Sequence, residues 1–405
     1  MKLYKRLEQA LALKGNIQIL SVQAVVTAMF YGMLFVIWQP FVLSLGASMT
    51  VLGGLSAALG LLESFSAPIW GRLSDKVGRK PLLILPNILK AGALVFCIIA
   101  NTWFLLIPYV ILMGLSSSYQ QMHNPVRASV VADSVRREER GVAYSVLIFT
   151  SEATTAVVAP LGGFLAMVYG FVPIFYACIV ADIVCALLTI AFIRETLEER
   201  PRVGAQPEKK GWRKVLREMF WPESHLRGFY VALVVDAFAW GLGFFILYGM
   251  LVRSFGVSTY ELGLLSATLS VALAVAEIPF GKLTDRYGRK LFLLVSEALA
   301  IATAFGLLFS SNFVHFVILQ IPLGVSIAAW IPAERAFLAD NVSKERRAEA
   351  MGRLQAFRGI LAFPAPYIGG LLYDAWGFRV PLFLNFSGCF VAFILLSVLI
   401  RERHP

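Results

Sequence analysis

The residues best able to do chemistry in this chain are the ionisable side chains set inside long apolar runs. Glu63, Lys90, Glu152, Asp182, Asp236, Glu277, Glu297, Glu334 and Arg335 all lie in such runs. A charge held in hydrocarbon costs at least about 2.5 kcal/mol, so each must pair, reach water or change its protonation. Glu277, Glu297, Glu334 and Arg335 fall within roughly two helical turns of a polar boundary, a depth from which a side chain can snorkel to the interface. Glu152 and Asp236 fall deeper, near the middle of their runs. For these two, three readings stand open: a carboxyl that exchanges a proton because burial disfavours its charge, a counter-charge for a bound cation, or a hydrogen-bonded structural acid.

A second group is polar rather than charged. The stretch Ser116-Ser117-Ser118-Tyr119-Gln120-Gln121-Met122-His123-Asn124-Pro125 ends an apolar run, and so many hydrogen-bonding groups require a protein-lined or water-filled face. Gln120 and Asn124 are candidates to line that face. His123 reads either as a proton relay or as a structural histidine, and Arg127 either offsets Glu63 or Glu152 or sits at the lipid headgroups. Tyr31, Trp38, Gln39, Trp240, Tyr248 and Trp330 form a candidate pocket for apolar or cationic ligands, or else ordinary helix packing. The four cysteines, Cys97, Cys178, Cys185 and Cys389, sit in apolar runs without metal-ligand spacing and read as small core residues. No metal site or cofactor is expected. Zinc-protease, nucleotide-loop and serine-hydrolase motifs are absent from the sequence, which disfavours an enzyme and leaves ion gradients as the energy source.

The elements that position these residues follow from composition. The 405 residues are 58% hydrophobic and only 15% charged, with mean hydropathy +0.74. A soluble domain carries about 25% charged residues, so this is an integral membrane protein. Hydropathy predicts twelve helical spans, near 17–43, 48–70, 81–100, 103–126, 142–168, 171–193, 227–252, 258–280, 291–310, 313–336, 350–374 and 378–400. Pro160 and Pro364 lie inside spans and are expected to kink rather than end them. The polar segment 194–226 divides the chain into an N-terminal six-helix part, 1–193, and a C-terminal six-helix part, 227–405. In this twelve-span arrangement, thirty of the 36 Lys and Arg fall on one side. The positive-inside rule then places both termini in the cytoplasm. The net charge of +11 is accordingly a topology signal and a surface for anionic lipids, not a nucleic-acid footprint. The basic N-terminus leads into a full-length span and is expected to be retained, and the short loops favour a prokaryotic plasma membrane.

Gly71-Arg72-Leu73-Ser74-Asp75-Lys76-Val77-Gly78-Arg79-Lys80 recurs as Gly281-Lys282-Leu283-Thr284-Asp285-Arg286-Tyr287-Gly288-Arg289-Lys290, with six of ten positions identical. A second echo, 207 residues apart, pairs Pro125 with Pro332, Ala132-Asp133 with Ala339-Asp340, Gly162-Gly163 with Gly369-Gly370, and Gly170-Phe171 with Gly377-Phe378. Two homologous halves are implied. The decapeptides resemble the loop signature of the major facilitator superfamily of secondary transporters. The resemblance covers essentially the whole chain and implies an all-α membrane fold: two six-helix bundles around a cavity that opens alternately to each side.

Within that superfamily the chain is most similar to twelve-span drug and metabolite efflux antiporters. Pro160, Gly162 and Gly163 in the fifth span match part of the antiporter motif, with Ala159 where the motif has Gly. Val110, four residues before Gly114, stands where the family carries an Arg. The resemblance further implies an inner latch in which Asp75 and Arg79 pair with Asp133 and Arg358; Asp285, Arg289 and Asp340 are the second-half equivalents. It also places Lys90 and Asp182 on peripheral helices, where they read as a pair between helices or else as transport chemistry, and Glu152 and Asp236 on cavity-lining helices. The function it implies is proton-coupled export of small lipophilic or cationic compounds by a monomer. The alternative is an uptake permease for a small organic metabolite such as an organic anion or sugar.

Overall fold

The computed structural model describes residues 15–116, 125–134, 140–196, 223–342 and 347–400. The apolar runs are helices because hydrocarbon offers no partner for a backbone N–H or C=O, and a helix satisfies both within one segment. In chain order they are α1 (Asn16–Ser44), α2 (Met49–Val77), α3 (Arg79–Ile99), α4 (Leu106–Leu115), α5 (Pro125–Ser134), α6 (Arg140–Tyr169), α7 (Val172–Phe192), α8 (Arg227–Leu242), α9 (Leu247–Phe255), α10 (Thr259–Tyr287), α11 (Arg289–Phe309), α12 (Phe313–Asp340), α13 (Arg347–Ala362), α14 (Ala365–Trp376) and α15 (Arg379–Leu399). Among the described residues, ten stretches are long and apolar enough to cross a membrane.

Two prolines expected to behave alike do not. Pro160 stays inside an unbroken α6. At Pro364 the predicted span divides, α13 ending at Ala362 and α14 starting at Ala365. The difference is Pro366. Two prolines two residues apart remove two backbone donors, and each disfavours the helical region for the residue before it.

The chain forms two compact units, Met1–Gly46 with Ala58–Val203 and Ala47–Ala57 with Gly204–Pro405. In the first, α1 packs against α6 and α7, and α3 packs against α4 and α7. In the second, α8 packs against α13, α14 and α15, α11 against α12 and α15, and α10 against α12. Contacts α1–α7 and α3–α7 thus correspond to α8–α15 and α11–α15. The duplication reaches individual contacts. A Cβ on Gly114 would lie 2.5 Å from the Leu62 side chain, and one on Gly324, 210 positions later, 2.6 Å from the Leu269 carbonyl oxygen. Both sites need the missing side chain for close helix approach. The signature loops turn at Gly78 and Gly288, with φ of 106° and 99°, values that favour glycine.

Candidate functional site

The signature loops are organised by local bonds in each half. In the first, the Glu195 carboxylate accepts the backbone N–H groups of Arg79 and Lys80, both at 3.0 Å, at the positive end of α3. Lys80 Nζ donates to the Ile190 carbonyl at 2.8 Å. In the second half Arg289 lies 3.1 Å from Asp285 and 3.2 Å from Asp340. Lys290 Nζ donates to the carbonyls of Ser397 and Ile400. Gly281 lies within α10. The side chains of Gly71, Asp75 and Asp133 lie outside the described ones, and so does their expected pairing with Arg358. What the structure gives Arg358 is Glu334 on α12, at 3.2 Å, and Gln355 at 3.3 Å. Trp330 donates its indole N–H to the same Glu334 oxygen at 2.5 Å. Glu334 is therefore held by neighbours rather than snorkelling.

The first half carries its deepest acid fully paired. Lys90 Nζ on α3 is 2.9 Å from Asp182 on α7, with side-chain exposures of 3% and 1%. The Tyr31 hydroxyl on α1 donates to the other Asp182 oxygen at 2.5 Å, and the Lys90 ammonium sits 4.7 Å from the centre of the Tyr31 ring. One turn on, Gln23 of α1 donates to Cys185 O and Thr189 Oγ1 of α7, both at 2.8 Å. The pair is thus neutralised, hydrogen-bonded and seated in a polar seam joining three helices. Tyr31, a candidate pocket residue, is part of this buried network.

The second half is built differently at the corresponding place. Cys389 lies 207 residues after Asp182, at the middle of the equivalent helix α15. Around it stand Asp236 of α8 and Glu297 of α11, with exposures of 0% for Cys389, 6% for Asp236 and 1% for Glu297. One donor atom from each lies within 4.8 Å of the other two. Neither carboxyl has a cation in contact among the described residues. The charged groups that act on Asp236 besides Glu297 are Arg358 and Glu334, which bond to each other, and the charged group acting on Glu297 is Asp236. Asp236 Oδ1 and both Glu297 oxygens lack a hydrogen-bond donor. The two carboxyls face each other, an approach that becomes a hydrogen bond only when one of them is protonated. Two unit charges 4.8 Å apart repel by about 3.5 kcal/mol at an effective dielectric of about 20. Asp236 takes a hydrogen bond from the Trp240 side chain and the field of Arg358, while Glu297 has no donor among the described residues.

Sequence reasoning missed Glu297. Its distance from the start of the run suggested a snorkelling side chain, but it points into the bundle between α8 and α15. The signal that finds it is the 207-residue echo linking Cys389 to Asp182, which marks α11 as the helix matching that of Lys90.

The remaining candidates are dispersed. Glu63 on α2 and Glu152 on α6 are half-buried. Arg127 on α5 is nearly buried and donates to the Leu20 carbonyl at 2.5 Å. Trp38 stacks on Tyr109 at 4.4 Å, Trp240 packs on Phe244 at 4.7 Å, Tyr248 is buried and Gln39 half-buried. Gly162 lies where any side chain would strike Met33 of α1, next to Gly163 and two residues past Pro160, so this segment sets the α1–α6 contact. Gln120, His123 and Asn124 lie outside the described residues.

A duplicated bundle of apolar helices with conserved loop geometry in both halves and charged groups buried within them is the build of a multi-pass membrane transporter. The family model described as Major Facilitator Superfamily matches residues 20–253 and 228–405, and the chain belongs to that superfamily. It is a transporter and not an enzyme. Among curated relatives, it is 25% identical over 377 residues to the multidrug resistance protein MdtG of Enterobacter lignolyticus, covering 90% of this chain and 87% of that one. The MdtG of Proteus mirabilis is 26% identical over 351 residues, covering 85% and 84%. Among solved structures, the nucleoside transporter NupG aligns with a TM-score of 0.74 at 13% identity, over 95% of this chain and all of that one. A bacterial homolog of the human lysosomal transporter Spinster, inward-facing, aligns with a TM-score of 0.72 at 15% identity, over 95% and 96%. At these identities the structures speak for the fold alone.

Proposed function

We propose that the chain is a proton-coupled exporter of small lipophilic or cationic compounds, working by alternating access as a monomer with both termini in the cytoplasm. The observation that carries the coupling is Asp236, a buried acid in the second half with no cation in contact and an oxygen without a donor. A carboxyl so placed is stable when protonated and costly when ionised, which is the property a proton carrier needs. The multidrug resistance relatives support export of lipophilic compounds as the direction and substrate class. Glu152 on α6 is the second candidate for the coupling proton, and Arg289 with Asp285 and Asp340 is proposed as the second-half part of an inner latch. In that latch Asp75, Arg79, Asp133 and Arg358 are the proposed first-half and cross-half members.

The test is transport of a fluorescent lipophilic cation into proteoliposomes under an imposed pH gradient, then under a sodium gradient. The pH gradient alone should drive accumulation in the wild type, and Asp236→Asn should abolish it, while Glu152→Gln tests the second candidate. Accumulation of organic anions or sugars in place of cations would favour an uptake permease.

A further inference from the structure

We infer that Asp236 and Glu297 act as one proton site: a carboxyl pair that always retains one proton between its oxygens and exchanges a second. This deepens the proposed function and rests on it for the role of the exchange in transport, although the proton pair itself does not.

Asp236 on α8 and Glu297 on α11 face each other, with Cys389 of α15 beside them, all three nearly fully buried. Three of the four carboxyl oxygens have no donor among the described residues. An acidic cluster alone could be an accident of packing. Buried acceptors aimed at one another, with the Trp240 side chain bonded to Asp236 and no donor for Glu297 among the described residues, cannot both carry charge without a ligand, since an unmet buried charge is strongly unfavourable. The smallest cation that meets the need is a proton, which turns the repulsive contact into a short hydrogen bond. Two carboxyls this close in a buried site behave as a unit and do not both ionise.

The proton balance is simple. With two protons the pair is neutral. Loss of one to water leaves a single negative charge shared by two carboxyls, with the remaining proton bridging them. Among the described residues no cation contacts the pair, because Arg358 on α13 is bonded to Glu334 on α12, and Cys389 is a free cysteine. The pair can therefore take up and release one proton as a unit, which is what proton coupling requires. Glu297 is the partner that makes this possible: it lets Asp236 give up a proton while the site keeps another.

Infrared pH titration of the purified protein tests the pair without any substrate. The expected result is a protonated-carboxyl band that titrates in the wild type and that either Asp236→Asn or Glu297→Gln shifts and stops from titrating, since the two carboxyls share the proton and the one left alone stays protonated. Glu297→Asp, which keeps the acid, should retain a titrating band, and thermal unfolding of each variant confirms that the fold persists. Two bands that titrate independently and disappear one per substitution overturn the inference, as does a wild-type spectrum unaffected by Glu297→Gln. A stoichiometric metal found by elemental analysis and lost in both variants also overturns it, in favour of a metal site. Flux separates this inference from the reading it rests on. If a pH gradient drives export but Glu297→Gln exports normally, the pair fails and proton-coupled export stands. If the shared band is present and no gradient-driven flux occurs, the pair stands and the exporter reading fails.

Discussion

The two halves use the same helices for opposite electrostatic ends. Asp182 in the first half and Cys389 in the second are 207 residues apart on equivalent helices, yet Asp182 meets Lys90 and Tyr31 while Cys389 meets Asp236 and Glu297. The first arrangement is closed, with charge and hydrogen bonds balanced inside the protein. The second is open, with two acids and no cation in contact among the described residues. A duplicated scaffold thus gives a charge-balanced staple at one copy of a position and, on the proposed reading, an exchangeable charge at the other. The difference is one of residue choice, not of backbone, since α3–α7 and α11–α15 pack alike.

Breaking the closed site should have the largest effect on stability. Lys90→Met leaves Asp182 buried without its cation, and removing one partner of such a pair costs about 3–5 kcal/mol. A sharply lower unfolding temperature in detergent and poor yield are expected, with partial recovery on adding Asp182→Asn. Next comes converting the open site into a closed one. Glu297→Lys places an ammonium beside Asp236 in imitation of the first half. The variant should fold and still exchange substrate down its own gradient, but lose accumulation driven by a pH gradient. Preserved gradient coupling in this variant would break the comparison.

Smaller effects follow from single hydrogen bonds. Tyr31→Phe removes the hydroxyl from Asp182 while leaving Lys90 in place, and hydrogen bonds to charged groups contribute about 1.5–3 kcal/mol. Thermal unfolding should shift in that proportion, with gradient-driven flux retained by the protein that remains folded. Cys389→Ser keeps size and a donor beside the pair and should alter stability by no more than about 1 kcal/mol, with flux close to wild type. A total loss of flux in Cys389→Ser would assign the thiol a role in the proton site that the present account does not give it.

Much of this architecture was legible in the sequence because the membrane leaves the backbone few options. Apolar runs had to be helices, and the repeated decapeptide had to mark two halves. The Lys90–Asp182 pair was legible too, from opposite charges on helices the family places at the periphery. Glu297 was not, because depth along a helix says nothing about which face a side chain occupies. Helices such as α11 and α15 are apolar on nearly every side, so their sequences do not announce an inward face. The split at Pro364 was missed for a related reason: one proline predicts a kink, but the pair with Pro366 removes adjoining donors and ends the helix. Arg358 meeting Glu334 depended on α13 lying beside α12, a neighbour relation that sequence spacing does not carry.

The most direct test of the central claim is to record substrate and proton movement together in proteoliposomes, using a fluorescent lipophilic cation and an internal pH dye. The account predicts that cation movement in the wild type is accompanied by opposite proton movement, and that Asp236→Asn abolishes the proton signal while the protein stays folded. Proton movement that persists undiminished in Asp236→Asn would contradict it, and would move the coupling site out of the open pocket of the second half.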